Sequence, residues 1–315
     1  MNLINLTVIS PVFNEESVIK TFYEELVDVL NSLVNVNYSI VFILDRSHDK
    51  TIDILREIVH IDSKVKVILM SSRFGHQMSL VAGIKNIDES DAVIMMDCDL
   101  QHPPHLIHEL IKNYRDGYDI VYTIRKDTLG ISKSRKFIGN IFYLLITYLS
   151  QVKIVPNSSD FRLISGKVAN IIKMEFNENN IFLRGIFSWI GFKQIGIAYY
   201  AQKRISGVSK YTLSKSFELA MNGILSFSIK PLELVLKVGL FFSFFAVVLI
   251  FLYVVNYFIA DTIPSGWSTL VVLLLLFNAI NLIVLGIIGS YIGGIYQEVK
   301  SRPRYIIDEV IKNEK

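Results

Sequence analysis

Asp97, Asp99 and Gln101 occupy alternate positions of Asp97-Cys98-Asp99-Leu100-Gln101, so in an extended segment they share one face. Two carboxylates and an amide oxygen suit a hard divalent cation, Mg2+ or Mn2+, which keeps coordination positions open for phosphate oxygens. The competing reading is an acidic loop with solvated or capping aspartates, because a short D-x-D recurs by chance. Acidic groups also follow two other apolar runs, in Pro11-Val12-Phe13-Asn14-Glu15-Glu16 and in Asp45-Arg46-Ser47-His48-Asp49-Lys50-Thr51. Cations at Arg204 and Lys210 can close on a leaving polyphosphate from one loop, or form a basic strip on anionic lipid.

These groups need a scaffold, and the pattern supplies one. Short β-rich runs at Leu6 to Val12, Tyr38 to Leu44, Val65 to Met70, Ala92 to Met96 and Ile120 to Tyr122 alternate with helical patterns. Val18, Phe22, Leu26, Val29 and Leu33 fall on one helical face, and further helices are predicted over Thr51 to Val59, Gly75 to Lys85 and Pro104 to Tyr114. This alternation predicts βαβ units and an α/β, mostly parallel sheet. Ligands of such sheets bind beyond the carboxyl ends of the strands, where the three acidic segments stand.

Two uncharged apolar runs follow, Val238 to Ala260 and Gly266 to Gln297. Each exceeds the roughly 20 residues that cross a hydrocarbon core about 30 Å thick. Lys230 and Lys237 precede the first, Lys300, Arg302 and Arg304 follow the second, and Asp261 to Ser265 carries no Lys or Arg, which predicts both ends in the cytoplasm. Tyr253, Tyr257, Trp267 and Tyr291 are candidate interfacial anchors, or packing residues. The expected divisions are a catalytic domain over 1–211, an amphipathic juxtamembrane segment over 212–232, a two-helix membrane module over 233–298 and a cytoplasmic tail over 299–315. Gly289 and Gly293, with Gly286 a turn earlier, form a face for close helix packing, either between protomers of a homo-oligomer or within one chain.

In 315 residues the net charge of +3 is too small to argue for nucleic acid, and the single cysteine, Cys98, excludes an internal disulfide. Arg125, Lys133, Arg135 and Lys136 precede Phe137 to Leu149, whose apolar face either lies in the headgroup zone beside a lipid phosphate or packs in a core. A second amphipathic stretch, Phe217 to Leu225, leads toward the first span. His102, His105 and His108 recur every third residue, but Pro103 and Pro104 interrupt them and no zinc-type cysteine accompanies them, which argues against a histidine metal site.

The ordered set Pro11-Val12-Phe13-Asn14-Glu15-Glu16, Ser47 to Thr51, Phe74-Gly75-His76-Gln77, Asp97 to Pro104, Asp160-Phe161-Arg162-Leu163 and Ser209-Lys210-Tyr211 resembles the family-2 glycosyltransferases. Within them it is similar to the polyprenyl-phosphate glycosyltransferases, over almost the whole chain. The resemblance implies a Rossmann-like GT-A domain that moves a sugar from a nucleotide diphosphate sugar to a lipid phosphate with inversion. It implies that Asp97, Asp99 and Gln101 hold the metal, that Pro11, Phe13, Glu15 and Asp45 line the nucleotide, and that Arg204 and Lys210 close over the phosphates. Asp160 then stands near the acceptor as a considered base. With Arg125, Lys133 and Arg135, Arg162 is expected on the acceptor side. An acceptor phosphate with a second ionisation near pH 6 is already nucleophilic, which leaves two other roles for Asp160, orienting the acceptor or Arg162, and capping a helix.

One departure stands out. The family usually has two aspartates and a small residue before the Ser-x-Asp-x-Thr turn, whereas this chain reads Leu44-Asp45-Arg46. The change bears on base or ribose recognition, and Arg46 is a candidate phosphate contact. The implied activity is metal-dependent transfer from UDP-glucose or another UDP-hexose to undecaprenyl phosphate, for cell-surface polysaccharide or lipopolysaccharide modification. A GDP-mannose-dependent synthase and a non-catalytic nucleotide-binding subunit are the alternatives. A processive polysaccharide synthase is excluded by the missing Gln-x-x-Arg-Trp segment, and a transporter by spans without intramembrane charge.

Overall fold

The first strand, β1 (Ile4–Val12), buries every residue except Asn5, as a strand covered on both faces of a parallel sheet does. The computed structural model describes residues 3–126, 155, 158–178, 181–200, 228–259 and 266–313. The remaining strands are β2 (Val36–Leu44), β3 (Val65–Met70), β4 (Ala92–Met95), β5 (Ile120–Lys126), β6 (Ser158–Ser165), β7 (Gln194–Tyr200) and β8 (Ile307–Lys312). They form one eight-stranded sheet in the order β7-β5-β6-β4-β1-β2-β3-β8. β3, β2, β1 and β4 run parallel, as do β5 and β7. β6 is antiparallel to both β4 and β5, and β8 to β3. The progression reverses at β1, from β2 on one side to β4 on the other, and that reversal opens a crevice beyond the two carboxyl ends. This is the mostly parallel sheet that the alternation predicts, in the Rossmann-like GT-A form that the resemblance implies.

Side-chain alternation along the strands feeds two cores. Val8, Phe42 and Ile94 face one way. There they meet α1 (Ile19–Ser32), α2 (Thr51–Ile61) and α4 (Ile107–Arg115) through Phe22, Leu55 and Leu110. Ile9, Ile43 and Met95 face the other way, against α3 (His76–Asn86), α5 (Gly166–Glu175) and α6 (Leu183–Trp189). Helix α1 buries Ile19, Phe22, Leu26 and Leu30, the three- and four-residue spacing of one face. Val29 and Leu33, expected on that face, are only partly buried. The stretch predicted as one helix from Pro104 begins as a 3-10 turn, Pro104–Leu106, before α4.

Two long apolar helices follow, α7 (Lys230–Ile259) and α8 (Trp267–Lys300). Their apolar windows, Lys230–Leu249 and Leu273–Lys300, have mean hydropathies of 2.2 and 2.3 and 0% burial within the protein, unlike core helices of a soluble domain. Both are long and apolar enough to cross a membrane. Tyr291 donates its hydroxyl to the Ser228 carbonyl at 2.7 Å, so it packs α8 against the start of α7. The expected amphipathic stretch 137–149 and most of 212–232 lie outside the described residues.

Residues 299–315, expected as a tail, contain β8, which adds an antiparallel edge to β3. The Ser71 N–H donates to Ile306 O at 2.9 Å. Arg56 pairs with Glu309 at 3.0 Å, and Arg304 reaches Asn177 Oδ1 at 2.9 Å. The end of α8 is therefore tied to the catalytic sheet.

Candidate active site

β4 ends at Met95 and residues 98–100 form a bend, so the extended segment expected over Asp97 to Gln101 does not form. Asp97, Asp99 and Gln101 are partly exposed, while Cys98 and Leu100 between them are buried. Leu100 adopts φ of 58°, a left-handed conformation that costs a side-chain-bearing residue roughly 1–2 kcal/mol. Strain of this kind gathers where a loop is held for function. Asp99 Oδ1 accepts the Gln101 N–H at 3.1 Å, and Gln101 Oε1 accepts from Arg125 Nη1 at 3.3 Å. Burial pushes the Cys98 thiol up, so it remains a small apolar filler beneath the carboxylates.

Beyond β1 and β2 two loops knit together reciprocally. The Asn14 N–H donates to Ser47 Oγ at 3.0 Å and the His48 N–H to Asn14 Oδ1 at 2.9 Å. The Glu15 N–H donates to Thr51 Oγ1, and the Lys50 N–H to Glu16 Oε2, both at 3.0 Å. This explains the Ser-x-Asp-x-Thr turn: its hydroxyls satisfy the backbone that follows β1. Phe13 carries the Arg73 guanidinium 4.0 Å from its ring centroid. Pro11 O receives the Cys98 thiol at 3.5 Å, joining the ends of β1 and β4. Asp45, 3% exposed, accepts the Phe74 N–H at 3.3 Å and the Gly75 N–H at 2.9 Å. It therefore sets the entry to α3.

The departing residues have structural roles. Leu44 is fully buried in the sheet core. Arg46 turns to Asp308 of β8 at 3.1 Å.

Because β6 runs antiparallel to β4, with Met95 opposite Arg162, Asp160 lies beside the end of β4. It sits inside a strand, which excludes the helix-cap reading. Arg184 Nε and Nη2 each donate to the Asp160 carboxylate at 2.8 Å. His76, the first residue of α3, stands between the two acids, with Nε2 at 2.6 Å from Asp97 Oδ1 and Nδ1 at 3.9 Å from Asp160 Oδ2. Arg162 lies behind Asp160 at 3% exposure, donating to Ser159 O at 2.8 Å with its guanidinium 4.5 Å from the Phe187 ring centroid. It reaches the site only through these neighbours.

Burial opposes charge throughout this cluster, and the neighbours overcome it. Burial would lower His76, but Asp97, by charge and hydrogen bond, with Asp160 behind it, raises it to about 9. Burial would likewise raise Asp97, yet His76, by charge and hydrogen bond, brings it down to about 2. Asp160 is held well below the usual carboxylate range, because Arg184 above all, with His76 and Arg162, outweighs its burial.

His102 is a structural tie. Its Nδ1 accepts the Asp97 backbone N–H at 3.1 Å, so the ring proton belongs on Nε2, 2.8 Å from Ser159 Oγ. With both nitrogens engaged and the ring stacked on Phe161 at 5.2 Å, it joins the β4 loop to β6 and is not a metal ligand. His76, His102 and Arg184 are the site residues that the sequence reading left without roles. The Phe74-Gly75-His76-Gln77 motif was the signal for the first, whereas nothing near Arg184 marks it before β6 and α6 are packed together.

Among the described residues, no cluster of three or more His, Cys, Asp or Glu side chains could hold a metal. Asp97, Asp99 and the amide oxygen of Gln101 remain partly exposed oxygen donors within five residues, and their chemistry fits Mg2+ or Mn2+. Lys133, Arg135, Arg204 and Lys210 lie outside the described residues.

The profile of Glycosyl transferase family 2 matches residues 7–171. "Uncharacterized glycosyltransferase YkcC" of Bacillus subtilis (strain 168) is 39% identical over 97% of this chain and 94% of that protein. "SfII prophage-derived bactoprenol glucosyl transferase" of Shigella flexneri is 35% identical over 96% of this chain and 97% of that protein. Among solved structures, S. aureus TarS 1-349 in complex with UDP-GlcNAc has a TM-score of 0.48 at 16% identity, covering 70% of this chain and 66% of that one. On the family match and the near-complete alignment with these relatives, the chain belongs to glycosyl transferase family 2 and is a glycosyltransferase.

Proposed function

We propose that the chain transfers a hexose from a UDP-sugar, UDP-glucose in the first instance, to undecaprenyl phosphate at the cytoplasmic face of the membrane, with inversion at the anomeric carbon. The observation that carries this reading is the 35% identity to a bactoprenol glucosyl transferase over 96% of this chain, which takes in the catalytic sheet and both apolar helices. Carboxylates at the switch point of the sheet, with two candidate spans tied back to that sheet, support it.

In the reaction an acceptor phosphate oxygen forms a bond to the anomeric carbon from the side opposite the diphosphate. The bond to the diphosphate breaks and its electron pair leaves with that group. Asp97, Asp99 and Gln101 would hold Mg2+ or Mn2+, which when bound supplies positive charge to the departing diphosphate. Pro11, Phe13, Glu15 and Asp45 border the nucleotide side, where Asp45 fixes the loop that begins α3. Arg204 and Lys210 are assigned to the diphosphate, and Arg125, Lys133 and Arg135 to the acceptor phosphate, with Arg162 acting through Asp160. Cations that meet charge developing on the leaving group lower the barrier more than they tighten ground-state binding.

The Gly289 and Gly293 face of α8 is open, since a Cβ at either position would meet nothing within 4 Å, and a second copy of the chain is assigned there. Crosslinking in native membranes that yields only monomer would remove the homo-oligomer.

The test is transfer from a panel of radiolabelled UDP- and GDP-sugars to undecaprenyl phosphate, with and without Mn2+. Metal-dependent lipid product from a UDP-hexose supports the reading. Product from GDP-mannose alone would reassign the donor, and nucleotide binding without product from any donor would leave a non-catalytic subunit.

A further inference from the structure

Asp160 stands where β6, α3 and α6 meet, at 8% exposure. Arg184 Nε and Nη2 engage its two oxygens separately, at 2.8 Å each, the fork in which a guanidinium matches a carboxylate. Among the described residues, the other charged groups facing it are Arg162 from its own strand at 3.9 Å, His76 from α3 at 3.9 Å, and Asp97 of the β4 loop across His76. The helix that presents Arg184 is itself anchored. The Leu183 N–H donates to Gln77 Oε1 at 3.3 Å, and Phe187 one turn on lies 4.5 Å from the Arg162 guanidinium. One short helix thus holds two neighbouring charges of β6 at once. Protonating Asp160 would break one arm of the fork and leave a half-buried guanidinium against a neutral acid.

The geometry points to Arg184 as a positioning residue that clamps Asp160 as a permanent anion, so that Asp160 orders His76 in the site and Arg162 behind it and takes no proton from the acceptor. This inference rests on the transferase reading above. The balance of that reaction agrees with it. The acceptor phosphate is largely dianionic at neutral pH, its oxygen bonds to the anomeric carbon, the electron pair of the broken bond departs with the diphosphate, and no proton needs a base.

The experiment compares full-length wild type, Arg184→Gln, Arg184→Lys, Asp160→Asn and the Arg184→Gln/Asp160→Asn double variant, with UDP-glucose, Mn2+ and vesicles containing undecaprenyl phosphate. Arg184→Gln is expected to lose kcat by about 100-fold at unchanged UDP-glucose KM, the scale of a misplaced catalytic group. Arg184→Lys, which keeps the charge without the fork, recovers part of that loss. The double variant is no slower than the slower single one, because Arg184 acts only through Asp160. Arg184→Gln also gains a further acid-side limb in its pH–rate profile, as the unclamped carboxyl protonates, beside the limb near pH 6 that protonation of the acceptor phosphate gives wild type as well. Wild-type kcat in Arg184→Gln, or losses that multiply in the double variant, would overturn the proposal and leave the transferase reading intact. Absence of product from wild type with any nucleotide sugar would sink both. If Arg184→Gln does not fold, Arg184→Lys decides alone: lowered kcat at unchanged KM supports the clamp, and wild-type kcat refutes it.

Discussion

Gly75 donates its backbone N–H to Asp45 Oδ2 at 2.9 Å while holding φ at 91°, a conformation open to glycine and costly to residues with a Cβ. A Cβ there would meet nothing within 4 Å, so the penalty of Gly75→Ala is wholly conformational. Gly75→Ala is expected to destabilise the protein by more than about 1 kcal/mol, seen as a lower melting temperature. An unchanged melting temperature would mean that the loop readily adopts another path to Asp45.

Asp99→Asn is expected to reduce lipid-linked product below detection with no change in melting temperature, since the side chain is partly exposed and the substitution preserves its shape. Chelation of divalent cations should reproduce the loss in wild type, and excess Mn2+ should restore it. Wild-type turnover by the variant would remove Asp99 from the metal site.

The His76–Asp97 pair has a defined pH signature in metal-free buffer. His76 rises from 6.5 to about 9 on folding, so its contribution is complete below about pH 6.5 and is lost as the pH climbs through about 9. Asp97, brought down to about 2, loses its share only in strong acid. Side-chain exposures of 41% and 33% let solvent screen the pair, which keeps the effect small. The melting-temperature gap between wild type and His76→Ala should therefore narrow from about pH 6 to about pH 10. A constant gap would show that folding does not raise His76.

Asp308→Ala should change stability by no more than about 1 kcal/mol, because its partner Arg46 and Asp308 itself are 58% and 48% exposed. Ending the chain after Arg302 is expected to cost far more, since it removes β8 and uncovers the β3 edge. Limited proteolysis of the catalytic sheet distinguishes the two variants, and equal resistance would show that β8 is dispensable.

The parallel half of the sheet was legible because its strands are short apolar runs separated by amphipathic helices. Val65 to Met70 matches β3 to the residue, whereas Asp97 to Gln101, read as extended, bends after β4 with Leu100 at positive φ. β6 and β8 escaped because each mixes charge into its pairing, Asp160 and Arg162 in one, Asp308 and Glu309 in the other. Local periodicity cannot read a buried charge whose partner lies on another element, and Arg184 becomes visible only once α6 is packed against β6. The same reason hid the role of Arg46, whose partner Asp308 is distant in sequence.

The return of β8 to the sheet constrains how the protein is made. A ribosome delivers β1 to β7 first, then α7 and α8, and only afterwards the strand that covers β3. With α7 and α8 in the bilayer as proposed, the nascent catalytic sheet waits with one edge bare until both helices have been inserted. Covering of the β3 edge thus becomes a late event of biogenesis, and until β8 arrives the bare edge is open to chaperones or proteases.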